Sequence, residues 1–126
     1  MRWIITADRP VYLQLVEQLE QAIVAGEAAA GSKLASVREL ATEAGVNPNT
    51  MQKAMQELEN EGLIITQRTA GRTVTEDENM IQTARKQLAQ DEIMRFLEKM
   101  HSFGFTTQEL IRFLQTEGEK NGDTTM

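Results

Sequence analysis

Leu34-Ala35-Ser36-Val37-Arg38-Glu39-Leu40-Ala41, then Val46-Asn47-Pro48-Asn49-Thr50, then Glu57-Leu58-Glu59-Asn60-Glu61-Gly62-Leu63-Ile64 follow one another in the first half of the chain. Each piece specifies a local structure. Ser36 with Glu39 three residues on is a capping box, in which hydroxyl and carboxylate each satisfy an orphan backbone donor, and Val37, Leu40 and Ala41 supply the apolar face behind it. Gly45 ends that helix. Asn47-Pro48 repeats the start grammar, a side-chain cap followed by a proline whose missing N–H costs nothing in the first turn. Met51, Ala54, Met55 and Leu58 recur at helical spacing and leave Asn49, Gln52, Lys53 and Gln56 on the opposite face, as far as about Glu61, with Gly62 as the stop. Leu63 to Gln67 and Thr73-Val74 read as two strands around the loop Arg68-Thr69-Ala70-Gly71-Arg72, with one glycine for the tight turn. Helix, turn, helix and β-wing in that order is how a small domain puts one helix into a DNA groove.

The flanks read as follows. Trp3-Ile4-Ile5 is a short β-prone run. Asp8-Arg9-Pro10 opens a helix expected over about Val11 to Ala25, with Asp8 or Arg9 as cap, Tyr12, Leu15, Leu19, Ala22 and Ile23 at helical spacing, and Gly26 after it. Downstream, a long helix is expected from Glu78 to His101, with Ile81, Ala84, Leu88, Ile93, Phe96, Leu97 and Met100 as its apolar positions. Gly104 breaks it, and Thr106-Thr107-Gln108-Glu109 is a second capping box before a final helix carrying Leu110, Ile111, Phe113 and Leu114 to about Thr116. The tail from Glu117 to Met126 reads as polar and frayed. The expected fold class is therefore mostly α: a winged helix-turn-helix in residues 1–75 and a two-helix dimerisation region in residues 76–126.

Composition narrows the chemistry. The 126 residues contain no cysteine and a single histidine, His101, which excludes thiol catalysis, cysteine-based zinc sites and multi-histidine metal sites. No metal or other cofactor is expected, and no nucleophile–base pair or phosphate-binding glycine loop suggests an enzyme. Met1 to Asp8 holds no apolar run of signal-peptide length, and no segment approaches the roughly 20 apolar residues of a membrane span, so a soluble cytoplasmic protein without a membrane partner is expected. The formal net charge of −6 argues against indiscriminate nucleic-acid binding, which needs local positive charge. Its distribution matters more: net −2 over residues 1–75 and −4 over residues 76–126. Two windows contain no acid at all, Ala44 to Gln56 with Lys53, and Gly62 to Thr75 with Arg68 and Arg72. They are the start of the second helix of the pair and the wing.

These segments resemble the GntR family of bacterial transcription regulators over about Pro10 to Val74. Pro10-Val11-Tyr12-Leu13-Gln14, the capping box, Val46 to Thr50 and the Glu57-to-Ile64 segment carry the resemblance at matching spacing. The short tail, with Phe103-Gly104-Phe105-Thr106-Thr107-Gln108-Glu109-Leu110 between its helices, is similar to the YtrA-like branch. The resemblance implies a winged helix-turn-helix that binds an operator as a homodimer. It implies DNA contact by Arg38, a groove-facing helix start at Asn47, Asn49, Thr50 and Gln52, and a wing from Arg68 through Thr69 and Gly71 to Arg72. The residue chemistry agrees. Ser36, Asn47 and Thr50 suit phosphate, whereas Asn49 and Gln52 have the bidentate amide geometry that reads adenine. This chain has Ala35 where many relatives have proline, and Arg68-Thr69-Ala70-Gly71-Arg72-Thr73-Val74 where relatives often have Arg-Gly-x-Gly-Thr-Phe-Val.

The remaining candidates have plainer uses. Met51, Met55, Met80, Met94 and Met100 at helical spacing are core or interface filler before they are a sensor. Glu57, Glu59 and Glu61 read as a solvated face turned from DNA. Ile81, Ala84, Leu88, Phe96, Leu97, Met100, Phe103, Leu110, Phe113 and Leu114 read as the seam of a homodimer, because two short helices enclose little volume for a ligand. The expected function is sequence-specific operator binding by a repressor that recognises an inverted repeat on double-stranded DNA. The rival is a winged-helix adaptor that binds protein and not DNA. No residue pattern specifies a small-molecule effector.

Overall fold

The computed structural model describes residues 1–69 and 71–120. Its elements, in chain order, are α1 (Val11–Val24), α2 (Val37–Ala44), α3 (Pro48–Asn60), β1 (Ile64–Gln67), β2 (Gly71–Val74), α4 (Glu78–Ser102) and α5 (Thr107–Lys120). They fall into two compact units, Met1–Lys86 and Gln87–Met126, with α4 contributing to both.

In the first unit the caps form as the local sequence dictates. Ser36 Oγ accepts from the Glu39 amide at 3.1 Å, the Glu39 carboxylate accepts in return from the Ser36 amide, and Gly45 takes the left-handed conformation that closes α2. Asn47 Oδ1 accepts from the Asn49 amide at 2.8 Å, with Pro48 at the first helical position of α3. The inner stripe of α3, Met51, Ala54, Met55 and Leu58, is fully buried against Leu15, Leu19 and Ile23 of α1, Leu40 and Ala41 of α2, and Ile64 and Val74 of the strands. Ile81 from the start of α4 completes this core. Each buried leucine, isoleucine, valine or methionine there contributes about 1.5–3 kcal/mol on leaving water.

Several expectations need correction. Trp3 to Ile5 forms no strand. Two glutamines of α1 take the place of a strand partner: Gln18 accepts from the Ile4 amide at 3.0 Å and donates to the Ile4 carbonyl at 2.7 Å, and buried Gln14 does the same for Thr6 at 2.8 and 2.9 Å. Trp3 is half-buried against the core, and its indole Nε1 has no hydrogen-bond partner among the described residues. Neither Asp8 nor Arg9 caps α1; Pro10 stands at that position. Asp8 instead accepts from the Thr6 hydroxyl and Arg9 pairs with Glu17.

The wing is a two-stranded antiparallel hairpin with Ile64 facing Val74, Ile65 Thr73, Thr66 Arg72 and Gln67 Gly71. Gly71 and Arg72 are therefore strand residues and not loop residues. Gly71 makes this possible with φ +74°, a conformation that costs other residues a clash. The expected loop residue Ala70 lies outside the described residues. A third segment leans on the hairpin: Leu34 N donates to the Arg72 carbonyl and Val74 N to the Ser32 carbonyl, each at 2.9 Å, and Lys33 bridges to Thr73.

In the second unit, Thr106 Oγ1 accepts from the Glu109 amide at 3.1 Å, and the Glu109 carboxylate accepts from the Thr106 amide at 3.0 Å, starting α5 as expected. Phe105 and Phe113 meet edge-to-face with centroids 6.0 Å apart, and Leu110 is buried. The helix runs past Thr116 to Lys120, where an ion pair between Lys120 and Glu117 spans the last turn. The expected frayed tail beyond Lys120 lies outside the described residues.

The carboxylates of α3 are not one solvated face. Glu61 meets Glu20 of α1 at a cavity of about 460 Å³ that Leu63, Asp77 and Met80 also line. Burial first, then the Glu61 carboxylate, with Glu17 and Glu57 adding to it, pushes Glu20 up to about 7. Glu61 is raised as well, chiefly by its own burial.

The folded chain thus holds a proton on Glu20 that the unfolded chain, with the ordinary value of 4.5, releases earlier. Stability must fall as pH rises through the window from about 4.5 to about 7, and level off above it. Glu20→Gln should flatten this slope and raise stability at pH 8 by on the order of 1 kcal/mol, since solvent screens a half-exposed group. Urea unfolding at pH 5 and pH 8 checks this; an equal effect of the substitution at both would contradict it.

Candidate nucleic-acid interface

Burying one stripe of α3 decides what the opposite stripe can do. Asn49, Gln52, Lys53 and Gln56 are all exposed, and Thr50 is half-exposed beside the cap. Gln56 donates to Asn60 Oδ1 at 3.2 Å. Lys53 lies with its ammonium 3.9 Å from the centre of the Tyr12 ring, so α1 steadies a cation on this face without neutralising it. Asn47 spends its side-chain oxygen on the Asn49 amide and its carbonyl on the Thr50 and Met51 amides, which leaves its own side-chain amide group as a donor at the positive end of α3.

A groove of about 700 Å³ runs between the start of α2 and the wing, and it brings together Ser36, Thr69, Gly71 and Arg72 with Lys33 and Thr66. Arg38, in the first turn of α2, and Arg68, after β1, are exposed. Lys33 was not singled out from the sequence. Its signal is only that of one more basic residue shortly before the capping box, and the hairpin contact that places it in the groove is a tertiary event.

Arg72 differs from the other cations. Its Nε donates to Glu59 Oε1 at 2.7 Å, both side chains being about one-fifth exposed, and the Thr66 hydroxyl donates to the same oxygen. The Thr66 bond foremost, and then Arg72, holds the Glu59 carboxyl below its ordinary value. Glu59 is therefore a structural acceptor at the wing and not a solvated charge.

The residues expected at a dimer seam differ in burial and fall in both units. Ile81 is buried in the core of the first unit and Ala84 packs against that core. Leu88, Leu97 and Met100 are half-buried, Leu110 is buried in the second unit, and Phe96, Phe103, Phe113 and Leu114 are exposed. Ile93, Met94 and Ile111 are exposed there as well. Among the described residues no group of three or more His, Asp or Glu side chains could hold a metal, and no helix is long and apolar enough to cross a membrane.

The comparisons agree with this geometry. Residues 11–74 match the sequence profile of the bacterial regulatory proteins of the gntR family. The chain is 32% identical over 110 residues to the uncharacterized HTH-type transcriptional regulator YhcF of Bacillus subtilis, covering 87% of this chain and 91% of that protein. It is also 32% identical over 110 residues to the HTH-type transcriptional repressor YtrA of the same organism, covering 86% and 85%. Among solved structures, a GntR family transcriptional regulator from Listeria monocytogenes superposes with a TM-score of 0.83 at 36% identity, covering 89% of this chain and 98% of that one.

The caps that aim α3 are local and separable from base reading. Ser36→Ala should lower stability by about 1 kcal/mol, the usual cost of losing an N-cap, and Ser36→Asp should restore most of it. Thermal unfolding of the three proteins measures this, and an unchanged midpoint in Ser36→Ala would show that the cap carries no stability.

Proposed function

Because the chain belongs to the gntR family of bacterial regulatory proteins, we propose that it is an operator-binding transcriptional repressor that acts as a homodimer in the cytoplasm. One observation carries the reading: α3 buries Met51, Ala54, Met55 and Leu58 completely and turns Asn49, Gln52 and Lys53 outward on a stretch with no acid. Asn49 and Gln52 read base edges in the major groove, where a carboxamide pairs bidentately with adenine. Lys53, Arg38, Ser36 and the wing residues Arg68, Thr69 and Gly71 meet the backbone, which positions the protein without specifying sequence.

Repression is carried over from the similarity to the YtrA repressor. The homodimer is supported by the second unit, which leaves Ile93, Met94, Phe96, Phe103, Ile111, Phe113 and Leu114 exposed, large apolar side chains of the kind a subunit interface covers. In this reading residues 1–75 bind DNA and residues 76–126 pair the subunits. A twofold dimer reads an inverted repeat whose half-sites lie about one helical turn, roughly 10 base pairs, apart.

Selection of bound sequences from a randomised duplex pool with the full chain, near physiological salt, should enrich one inverted repeat; recovery of no common sequence by folded dimer would refute the reading. On the selected site, Asn49→Ala and Gln52→Ala should each lose about 1–3 kcal/mol of discrimination at one base step. Arg68→Ala should instead weaken all sequences alike and lower the salt slope by about 0.9.

A further inference from the structure

Thr66 and Arg72 are direct partners across the wing, one on each strand. Both donate to a single oxygen, Oε1 of Glu59, which stands next to the last residue of α3. One carboxylate on the helix that presents Asn49 and Gln52 therefore grips both strands of the hairpin at the same rung. A hairpin with four residues per strand is marginal by itself and needs such support to hold one orientation. On its other side β2 is tied by main-chain bonds to Gly31, Ser32 and Leu34.

We propose that Glu59 is a positioning residue for the wing: by holding Thr66 and Arg72 it fixes the hairpin against α3 and sets where Arg68 meets the DNA backbone. Arg72 serves this grip and is not a phosphate contact. The inference rests on the DNA-binding reading above. The charges give it a distinctive sign. A carboxylate near a polyanion is repulsive, so charge alone predicts that its removal tightens binding. If the carboxylate acts by holding the wing, its removal weakens binding.

Glu59→Gln and Arg72→Gln, made in the full chain, test this in two arms. In the free protein, hydrogen exchange at the amides of residues 64–67 and 71–74 should accelerate in both variants, while amides in the centres of α1 and α3 keep their protection, which separates loss of the grip from unfolding. On the selected duplex both variants should lose affinity roughly tenfold, the scale of a charge-assisted hydrogen bond. Their salt slope should fall together by about 0.9 as Arg68 leaves its phosphate, and footprint protection should be lost at the positions covered by the wing and kept at those covered by α3. Unchanged wing exchange in Glu59→Gln overturns the grip. Tighter binding by Glu59→Gln with an undiminished salt slope, while Arg72→Gln alone lowers it by about 0.9, overturns the grip in favour of a phosphate contact at Arg72. If the wild-type chain selects no sequence while wing exchange still responds, the DNA reading fails and the positioning role falls with it, leaving Glu59 as a brace of the fold.

Discussion

The first unit depends on one constraint: α3 must lose an entire face to the core. Met51, Met55 and Leu58 have no solvent exposure, and they touch a core assembled from α1, α2 and both strands. A helix this tightly held cannot rotate about its axis without exposing a methionine and burying a glutamine or lysine, each costing a few kcal/mol. The direction in which Asn49 and Gln52 point is therefore set from behind, by packing that never touches a ligand. The caps at Ser36 and Asn47 fix the remaining freedom, the points at which the two helices begin.

An acidic chain with a DNA-facing surface must place its carboxylates with care. The acids nearest that surface are each engaged: Glu39 bonds the Ser36 amide, and Glu59 bonds Thr66 and Arg72. The cations Arg38, Lys53 and Arg68 stay exposed, Lys53 resting on an uncharged ring. Glu20 and Glu61 are gathered at a cavity shared with Asp77. Net charge is thus a poor guide to this surface, because Glu39 and Glu59 are bonded there while Arg38, Lys53 and Arg68 stay exposed.

What could be read from the sequence was what is decided within one or two helical turns. Both capping boxes, the Asn47-Pro48 start, the inner stripe of α3 and the order of elements all rest on contacts three or four residues apart, and the structure contains them. Contacts between elements were not legible. Arg72 looked like a wing cation because nothing in its neighbourhood names Glu59 as its partner, and Trp3 to Ile5 looked like a strand because Gln14 and Gln18 carry no mark of substituting for one. The same holds for Glu20 and Glu61, whose proximity raises the affinity of one carboxylate for a proton. Ile81 and Ala84 fit a helical stripe equally well against their own core or against a second subunit, and periodicity alone does not choose between them.

The only tryptophan of the chain, Trp3, and its only tyrosine, Tyr12, both belong to the first unit. The indole packs against the core, with its N–H unpartnered among the described residues, so its emission responds to loosening of that core. The second unit has phenylalanine but no stronger fluorophore. Intrinsic fluorescence is consequently a local thermometer of the winged unit, whereas circular dichroism sums every helix including α5. Any gap between the two signals during unfolding measures how far the two units melt as one.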